Sequence, residues 1–278
     1  MNRYTIVNDK FIPAAEASVL ITDLALQRGY GIFDFFKTLD GQFKFLEDHL
    51  DRFYHSAAAM HLPVAQTREA LKALLCALQE KNNIPNSGIR ITLTGGYSPD
   101  GYTLASPNMI ITQNPLVNPE FNVKGIKLMT YPHQRQLAQV KTLDYLMAIY
   151  LQPLIKQHGA DDVLYHHNGF VKECPRSNFF IVTAHNEVVT SGKDVLRGVV
   201  RKQLLKMHNS ELSITEREIS LEDLKTCEEA FIASSTKNVL PVTTIDGHQI
   251  GNGNAGEITT LLAEKFKALV FNVDSLTL

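Results

Sequence analysis

The chain has 278 residues, of which 44% are hydrophobic and 20% are charged, and its formal net charge at pH 7 is −2. These values are ordinary for a globular protein, and the length predicts one large domain or two modest ones. Because the charge is nearly balanced and no Lys/Arg-rich run occurs, nucleic acid is not expected as the main partner. No apolar run approaches the ~20 residues of a membrane span, so no membrane partner is expected either.

The cysteines and the N-terminal residues indicate the cellular compartment of the protein. Cys76, Cys174 and Cys227 are odd in number and far apart, and the sequence contains no CxxC pair. This pattern predicts neither a disulfide framework nor a structural zinc site, and reduced cysteines are typical of the cytoplasm. The N-terminal residues lack the apolar core of a signal peptide. We therefore expect a cytoplasmic protein.

Hairpin and helix signals alternate through the first 114 residues. Turn dipeptides such as Asn8-Asp9 and Asp40-Gly41 predict hairpins, and apolar residues at helical spacing predict two helices. The predicted elements are a hairpin over Tyr4–Ile12, strands Ile32–Leu39 and Gln42–Leu46, helices Glu47–Met60 and Thr67–Asn82, and strands Ile89–Thr94 and Asn108–Thr112.

A stretch with prolines and no periodicity, residues 115–121, predicts a linker. It separates a predicted small N-terminal domain, residues 1–114, from a larger domain, residues 122–278. The elements predicted in the larger domain are strand Lys124–Thr130, a helix after Lys141, hairpin strands Val163–His166 and Phe170–Lys172, strands Phe179–Thr183 and Glu187–Thr190, helix Leu196–Met207, a short helix capped by Ser220 and Asp223, strand Phe231–Ala233 and helix Gly256–Leu269. Hairpins without regular βαβ alternation predict a mixed α+β fold rather than a doubly wound parallel sheet.

Two patterns imitate functional motifs. The stretch from Gly251 to Gly256 matches GxGxxG, but too few residues follow it for a second βαβ unit, so we interpret it as an exposed turn. His49, His55 and His61 are six residues apart, which directs them to different sides of a helix, and we expect surface or capping roles for them.

Six stretches together resemble the class IV aminotransferases, the fold-type-IV enzymes that use pyridoxal 5'-phosphate (PLP). That family includes branched-chain and D-amino acid aminotransferases and aminodeoxychorismate lyase, and the resemblance covers nearly the whole chain. The stretches are Arg28–Asp34, Asp48–Phe53, Val140–Leu146, Val171–Phe179, Leu196–Arg201 and the pair Ser235-Thr236 with Val239–Val242. The resemblance implies a small α/β N-terminal domain and a larger pseudobarrel domain that binds the cofactor.

The resemblance also implies roles for single residues. Lys141 matches the catalytic Schiff-base lysine, which also moves a proton on the substrate. Glu173 matches the carboxylate that keeps the pyridine nitrogen of PLP protonated. Tyr145 is a candidate partner of the cofactor's phenolic oxygen. The groups matched to the phosphate are the fork of Arg52, the turn Gly198, Val199 and Val200, and the hydroxyls of Ser235 and Thr236.

The substrate side is less well defined by the sequence. D-amino acid aminotransferases of this family typically carry, at the position of Gly95, an arginine that traps the substrate carboxylate, so D-stereospecificity is not supported here. Phe33 is a candidate substrate contact. Arg90 and Arg176, with Arg135 as a further candidate, are the arginines available for the carboxylate.

The sequence departs from the family pattern at two further positions. The family usually shows Asn at the position of Asp144 and Gly at that of Cys174. Asp144 adds a negative charge three residues from Lys141, which either raises the pKa of the lysine or points away from it.

The function that follows is amino-group transfer between an amino acid and a 2-oxo acid. The alternative is a β-eliminating lyase like aminodeoxychorismate lyase, which uses the same cofactor residues, and a third possibility is a non-catalytic PLP-binding protein. The family further implies a homodimer in which a loop, here Gly95–Thr103, reaches the neighbour's site.

Overall fold

The computed structural model describes residues 3–209 and 212–272, and the chain divides into two compact units. The first unit runs to Asn118 and also contains Val140–Asp144, while the second contains Pro119–Gln139 and the described residues from Tyr145 onwards. The predicted division instead assigned every residue from 122 to 278 to the second domain. The difference lies in Val140–Asp144, which forms backbone hydrogen bonds with a strand of the first unit.

The first unit is a six-stranded sheet in which every neighbouring pair is antiparallel. Its elements are β1 (Tyr4–Val7), β2 (Lys10–Pro13), α1 (Leu24–Arg28), β3 (Gly31–Leu39), β4 (Gln42–Phe43), α2 (Leu46–Ala59), α3 (Arg68–Asn82), β5 (Ser87–Thr94) and β6 (Met109–Pro115). The strand order is β2-β1-β6-β5-β3-β4.

Two-residue alternation decides which side of this sheet is core. Ile32 and Phe36 of β3 join Leu50 and Phe53 of α2 in one buried apolar cluster, to which α3 also contributes. Because successive strand residues point to opposite faces, the side chains between them, such as Phe33, lie on the other face of the sheet. Strand β3 therefore presents one face to the helices and a second face that is available for other contacts.

The second unit is an eleven-stranded mixed sheet. Its elements are β7 (Ile126–Pro132), α4 (Leu146–Tyr150), α5 (Gln152–Gln157), β8 (Asp162–His167), β9 (Phe170–Val171), β10 (Glu173–Cys174), β11 (Ser177–Val182), β12 (Val188–Thr190), α6 (Val199–Leu205), β13 (Ile214–Glu216), β14 (Ile219–Ser220), α7 (Asp223–Thr226), β15 (Glu229–Ser234), β16 (Asn238–Ile245), β17 (His248–Gln249) and α8 (Glu257–Asn272). The order is β13-β12-β11-β15-β16-β7-β8-β9-β14, with β10 beside β11 and β17 beside β16.

Strand β11 is buried along its whole length. Phe179 and Ile181 join the apolar cluster on one face, and Phe180 stacks on Phe231 of β15, with ring centroids 4.6 Å apart. Burial on both faces explains why this segment is a continuous apolar run rather than an alternating one. The strand gives the adjacent β10 a rigid neighbour.

Most predicted elements occur near their expected positions, although α1, α5, β13, β14 and β17 were not predicted, and two further differences concern the residues after Lys141 and strand β16. The helix expected directly after Lys141 begins only at Leu146, because the residues before it are extended against β3. Strand β16 was not predicted, because Val239–Val242 was matched to a phosphate loop of the family. The mixed fold without regular βαβ alternation is confirmed. The GxGxxG stretch forms the turn between β17 and α8.

Within residues 3–209 and 212–272, no helix has both the length and the apolar character that crossing a membrane requires.

Candidate active site

The segment Val140–Leu143 extends the sheet of the first unit along the free part of the β3 edge. Thr142 forms an antiparallel bridge with Ile32, the N–H of Phe33 donates to the carbonyl of Lys141 at 3.0 Å, and the N–H of Leu143 donates to the carbonyl of Gly31 at 2.9 Å. In this register Lys141 stands opposite Phe33, so the two side chains share a sheet face.

The same face carries Arg90. Residue pairs Phe33–Thr92 and Phe35–Arg90 are opposite each other in the β3–β5 ladder. The Lys141 Nζ lies 4.6 Å from the centroid of the Phe33 ring, and the Arg90 Cζ lies 3.8 Å from it. Arg90 Nε also donates to Thr92 Oγ1 at 3.2 Å. The structure therefore brings together three sequence-predicted residues, Lys141, Phe33 and Arg90, with two cations on one aromatic ring.

Arg52 lies on the core side of the same sheet. Its Nε and Nη2 donate to the two carboxylate oxygens of Asp34, each at 2.8 Å, in a bidentate pair. Asp34 is only 1% exposed. Burial by itself raises the pKa of Asp34, but the charges and hydrogen bonds of Arg52 and His49 outweigh burial and hold that pKa well below its usual range. The guanidinium of Arg52 is thus fixed before any ligand binds.

His49 completes this cluster and corrects an expectation. It was expected on the surface or at a cap, but it is 2% exposed and its Nδ1 lies 2.7 Å from Asp34 Oδ1. Since the ionised carboxylate only accepts, Nδ1 carries the proton. Burial is the largest influence on the pKa of His49 and lowers it. Asp34 raises that pKa, the charges of Arg52 and Lys141 lower it further, and the net shift is downward. The signal available in the sequence was the His-Leu-x-Arg spacing, which places His49 and Arg52 one helical turn apart.

In the second unit, Glu173 is a buried carboxylate with several donors. Oε1 accepts from Arg135 Nη1 at 3.0 Å, and Oε2 accepts from Asn178 Nδ2 at 3.1 Å and from the N–H of Leu196 at 3.0 Å. Sequence reasoning considered Arg135 for the substrate carboxylate, whereas the structure pairs it with Glu173. Hydrogen bonds to a carboxylate favour its ionised form.

The predicted phosphate turn lies beside Glu173 in the same unit. Gly198 immediately precedes α6 and offers no capping side chain, so the amides of Val199 and Val200 stand in the first turn, where no intrahelical partner exists. A Cβ at Gly198 would lie 2.0 Å from Asn178 Oδ1, so a glycine is required there. The structure therefore brings Glu173, Gly198, Val199 and Val200 together.

The other predicted residues of the second unit occupy separate turns. Ser235 and Thr236 form the turn between β15 and β16, where the Ser234 hydroxyl accepts from the N–H of Lys237 at 3.2 Å. Tyr145 directly precedes α4. Arg176 is exposed in the tight turn between β10 and β11.

Comparison with known proteins gives the family. The sequence model described as Amino-transferase class IV matches residues 31–245. The chain is a class IV aminotransferase. It is 30% identical to the putative branched-chain-amino-acid aminotransferase of Methanocaldococcus jannaschii, over 94% of each chain, and 28% identical to the D-alanine aminotransferase of Listeria innocua, again over 94% of each.

The fold agrees with this assignment. The solved branched-chain amino acid aminotransferase of Escherichia coli superposes with a TM-score of 0.89 at 22% identity, covering 97% of this chain and 95% of that one. The predicted family, fold type, transaminase activity and PLP cofactor of this aminotransferase are confirmed. Neither the β-eliminating lyase nor a non-catalytic binding protein is favoured.

The groups present in this aminotransferase fit PLP. An electrophilic aldehyde needs a primary amine, which Lys141 provides, and a pyridine nitrogen needs a buried acceptor, which Glu173 provides. A phosphate needs several donors at close range, and the amides of Val199 and Val200, which have no intrahelical partner in the first turn of α6, provide two of them.

The buried pair of the first unit leads to a stability prediction. Asp34→Asn removes the charge that compensates Arg52, so we expect the free energy of unfolding to fall by about 3 kcal/mol at pH 6. The pKa of Asp34 is lower in the folded state than the ordinary 3.8. Its contribution is therefore complete above that value and is lost as the pH falls below it. Urea unfolding of both proteins at pH 6 and pH 3 measures the difference, which should shrink at pH 3.

A matched control exists in the same unit. Asp51 also pairs with an arginine, Arg68, but its side chain is 60% exposed. Asp51→Asn should cost less than about 1 kcal/mol. Equal losses for the two variants would contradict a structural role of the buried pair.

Proposed function

We propose that this aminotransferase transfers the amino group of an amino acid to a 2-oxo acid on PLP, with Lys141 as catalytic residue and Arg90 as the group that binds the substrate carboxylate. The observation that carries this proposal is the shared sheet face: the ammonium of Lys141 and the guanidinium of Arg90 both lie over the ring of Phe33. An α-amino acid presents an amine and a carboxylate that are separated by one carbon, and this face presents groups suited to both.

The proposal assigns the remaining predicted residues to the cofactor. Bound PLP supplies an electron sink that labilises bonds at the substrate Cα. Glu173 accepts a hydrogen bond from the pyridine nitrogen and so keeps a proton on that atom. Arg52, Val199, Val200, Ser235 and Thr236 donate to the phosphate, and Tyr145 donates to the phenolic oxygen.

Lys141 has two tasks in this scheme. Its Nζ would hold the cofactor covalently, and its amine would also carry a proton to and from the substrate Cα. Contact with the Phe33 ring restricts the side chain to one region. Arg90 fixes the substrate carboxylate, which sets the direction of the Cα–H bond relative to Lys141.

D-amino acid aminotransferases of this family typically bind the substrate carboxylate with an arginine at position 95. The surroundings of Gly95 support a different location for the carboxylate site in this enzyme. A Cβ at Gly95 would lie 2.9 Å from Leu24 Cδ1 and 3.1 Å from Tyr30 Cδ1, so a larger residue would have to displace both side chains. Relatives named for branched-chain amino acids and for D-alanine match this chain to a similar extent. We therefore propose only that the substrate carries a carboxylate and an amine. Its stereochemistry is assigned by measuring activity with both enantiomers of each amino acid.

The role of Lys141 predicts a spectroscopic result. In Lys141→Ala the visible absorbance of the lysine-linked cofactor should be absent and transamination should fall by at least ~10³-fold, because the nucleophile and the proton carrier are both lost. Lys172→Ala is the matched control, since Lys172 is a 5% exposed lysine that pairs with Asp194. Retention of the absorbance band and of turnover in Lys141→Ala would refute the assignment.

The role of Arg90 predicts a split between substrates. Arg90→Met should raise KM for amino acids at least tenfold, because a charge-assisted hydrogen bond contributes about 1.5–3 kcal/mol. Primary amines of the same chain length without a carboxylate should be unaffected. Steady-state kinetics of Arg176→Met provide the comparison, since Arg176 was the other predicted candidate. An increase in KM only in Arg176→Met would move the carboxylate site to that residue.

We also propose a homodimer, supported by an exposed apolar surface of the first unit. It consists of Leu20, Ile21, Leu26, Tyr102 and Leu104, which are 43–86% exposed. The surface is preorganised, because the N–H of Ser98 donates to the carbonyl of Thr22 and Asp100 accepts from the N–H groups of Tyr102 and Thr103. Ordered apolar patches of this kind are typical of protein interfaces, and one residue of the patch, Tyr102, lies in the loop Gly95–Thr103 that the family resemblance assigned to the neighbour's site.

The dimer proposal is tested with a charged variant of that surface. The double variant Ile21→Glu, Leu26→Glu should be monomeric by light scattering at a concentration where the wild type is dimeric, because two carboxylates cannot be buried unpaired. Leu261→Glu, at a 41% exposed position of α8, is the control and should leave the mass unchanged. A monomeric wild type would overturn the proposal.

We place the enzyme in the cytoplasm. Cys76, Cys174 and Cys227 are all free thiols, and two of them are buried. Free thiols are typical of reducing compartments. Cell fractionation that recovers the protein outside the cytoplasmic fraction would contradict this placement.

A further inference from the structure

Asn178 is a buried residue that links two parts of the proposed cofactor site. It lies on β11, is 5% exposed, and its Nδ2 donates to Glu173 Oε2 at 3.1 Å and to the carbonyl of Leu196 at 2.8 Å. Both N–H groups of the amide are therefore used, one on each side. Asn178 belongs to the stretch Val171–Phe179 that resembles the family, but the resemblance implied no role for it.

The peptide groups of Leu196 are held at both ends. Its N–H donates to Glu173 Oε2 at 3.0 Å, and its carbonyl accepts from Asn178 and from the N–H of Gly198 at 2.9 Å. Glu173, Asn178 and Leu196 thus form a closed ring of hydrogen bonds. The turn that leads into α6 has its backbone fixed relative to the Glu173 carboxylate.

The other end of the Asn178 amide limits the turn sterically. Asn178 Oδ1 occupies the space in which a Cβ of residue 198 would stand, 2.0 Å from the ideal position. One side chain therefore holds Leu196 by hydrogen bonds and requires glycine at position 198. Both effects act on the residues directly before the amides of Val199 and Val200.

We propose that Asn178 is a positioning residue that fixes the separation between Glu173 and the amides of Val199 and Val200, so that the two ends of PLP bind together. This inference rests on the roles assigned to those residues in the proposed function. PLP is a compact ligand in which a short linker limits the distance between the pyridine nitrogen and the phosphate. Two anchoring groups strengthen each other only when their own separation matches that distance, because the second contact then forms without further loss of freedom.

The proposal predicts a specific loss, which differs from general weakening. In the wild type the phosphate raises the affinity for the cofactor. This gain is measured by the dissociation constant of pyridoxal divided by that of PLP. In Asn178→Ala the two anchors lose their common support, so this ratio should fall at least tenfold. Glu173→Gln keeps one side-chain oxygen that can still accept from Asn178 and from the N–H of Leu196, so the turn stays in place; it should weaken both ligands and change the ratio by less than about threefold.

The experiment measures both dissociation constants by equilibrium dialysis of the full-length apo-protein, with no dependence on turnover. Asn82→Ala is the matched control, because Asn82 is also buried, at 6% exposure, and bonds both backbone groups of Tyr4 in the first unit. It should leave the ratio unchanged. Circular dichroism establishes that each variant is folded. If Asn178→Ala does not fold, Asn178→Asp is used, which keeps the size of the side chain but replaces the donors with acceptors facing Glu173.

The outcomes separate the two proposals. A wild type that binds neither ligand refutes the proposed function. A wild type that binds PLP more tightly than pyridoxal, with the same ratio in the folded Asn178 variants, overturns the positioning role and leaves the proposed function intact. A ratio that falls at least tenfold in an Asn178 variant and stays constant in Asn82→Ala supports it.

Discussion

The position of Lys141, the proposed catalytic lysine, depends on a short backbone pairing. Val140–Leu143 hydrogen-bonds to the free edge of β3, and alternation along this segment decides which way Lys141 points. Val140 and Thr142 are 5% and 6% exposed, and Val140 belongs to the core of the first unit. A slip of one residue would expose these two side chains and bury the ammonium of Lys141 among apolar groups. The burial of its neighbours therefore enforces the orientation of the lysine.

In each unit, a buried carboxylate that accepts several hydrogen bonds also lies beside groups proposed to bind the ligand. Asp34 accepts from Arg52 and His49, and Glu173 accepts from Arg135, Asn178 and a backbone amide. A buried charge is tolerated only when its partners satisfy it, and such a cluster is rigid because moving any member leaves another unsatisfied. The two carboxylates thus act as fixed points around which the proposed ligand groups are arranged. Arg52 is oriented by Asp34, and the turn at Gly198 is oriented by Glu173.

Local signals predicted much of the fold, and resemblance predicted the site residues. Asp40-Gly41 gave the β3–β4 hairpin, and Thr67 caps α3 through a 3.2 Å bond from the N–H of Ala70. The pairing of Arg135 with Glu173, the burial of His49 and the bonds of Asn178 were not predictable in this way. These contacts join residues that are 5 to 38 positions apart through the sheets. Sequence patterns that repeat every two or every 3.6 residues describe single strands or helices. They carry no information on which elements become neighbours in the fold.

The location of the proposed substrate groups has a consequence for specificity. Phe33, Arg90 and Lys141 share no sequence motif, and only the registers of β3 with β5 and with Val140–Leu143 bring them onto one face. Glu173, which is proposed for the pyridine nitrogen, lies instead on β10, and the amides of Val199 and Val200, which are proposed for the phosphate, lie at the start of α6. A substitution at position 90 or 92 changes what the sheet face offers to a carboxylate and leaves the hydrogen bonds of Glu173 untouched. In the proposed scheme the substrate can therefore change while Glu173 keeps its role, because Glu173 and Arg90 belong to separately stabilised elements.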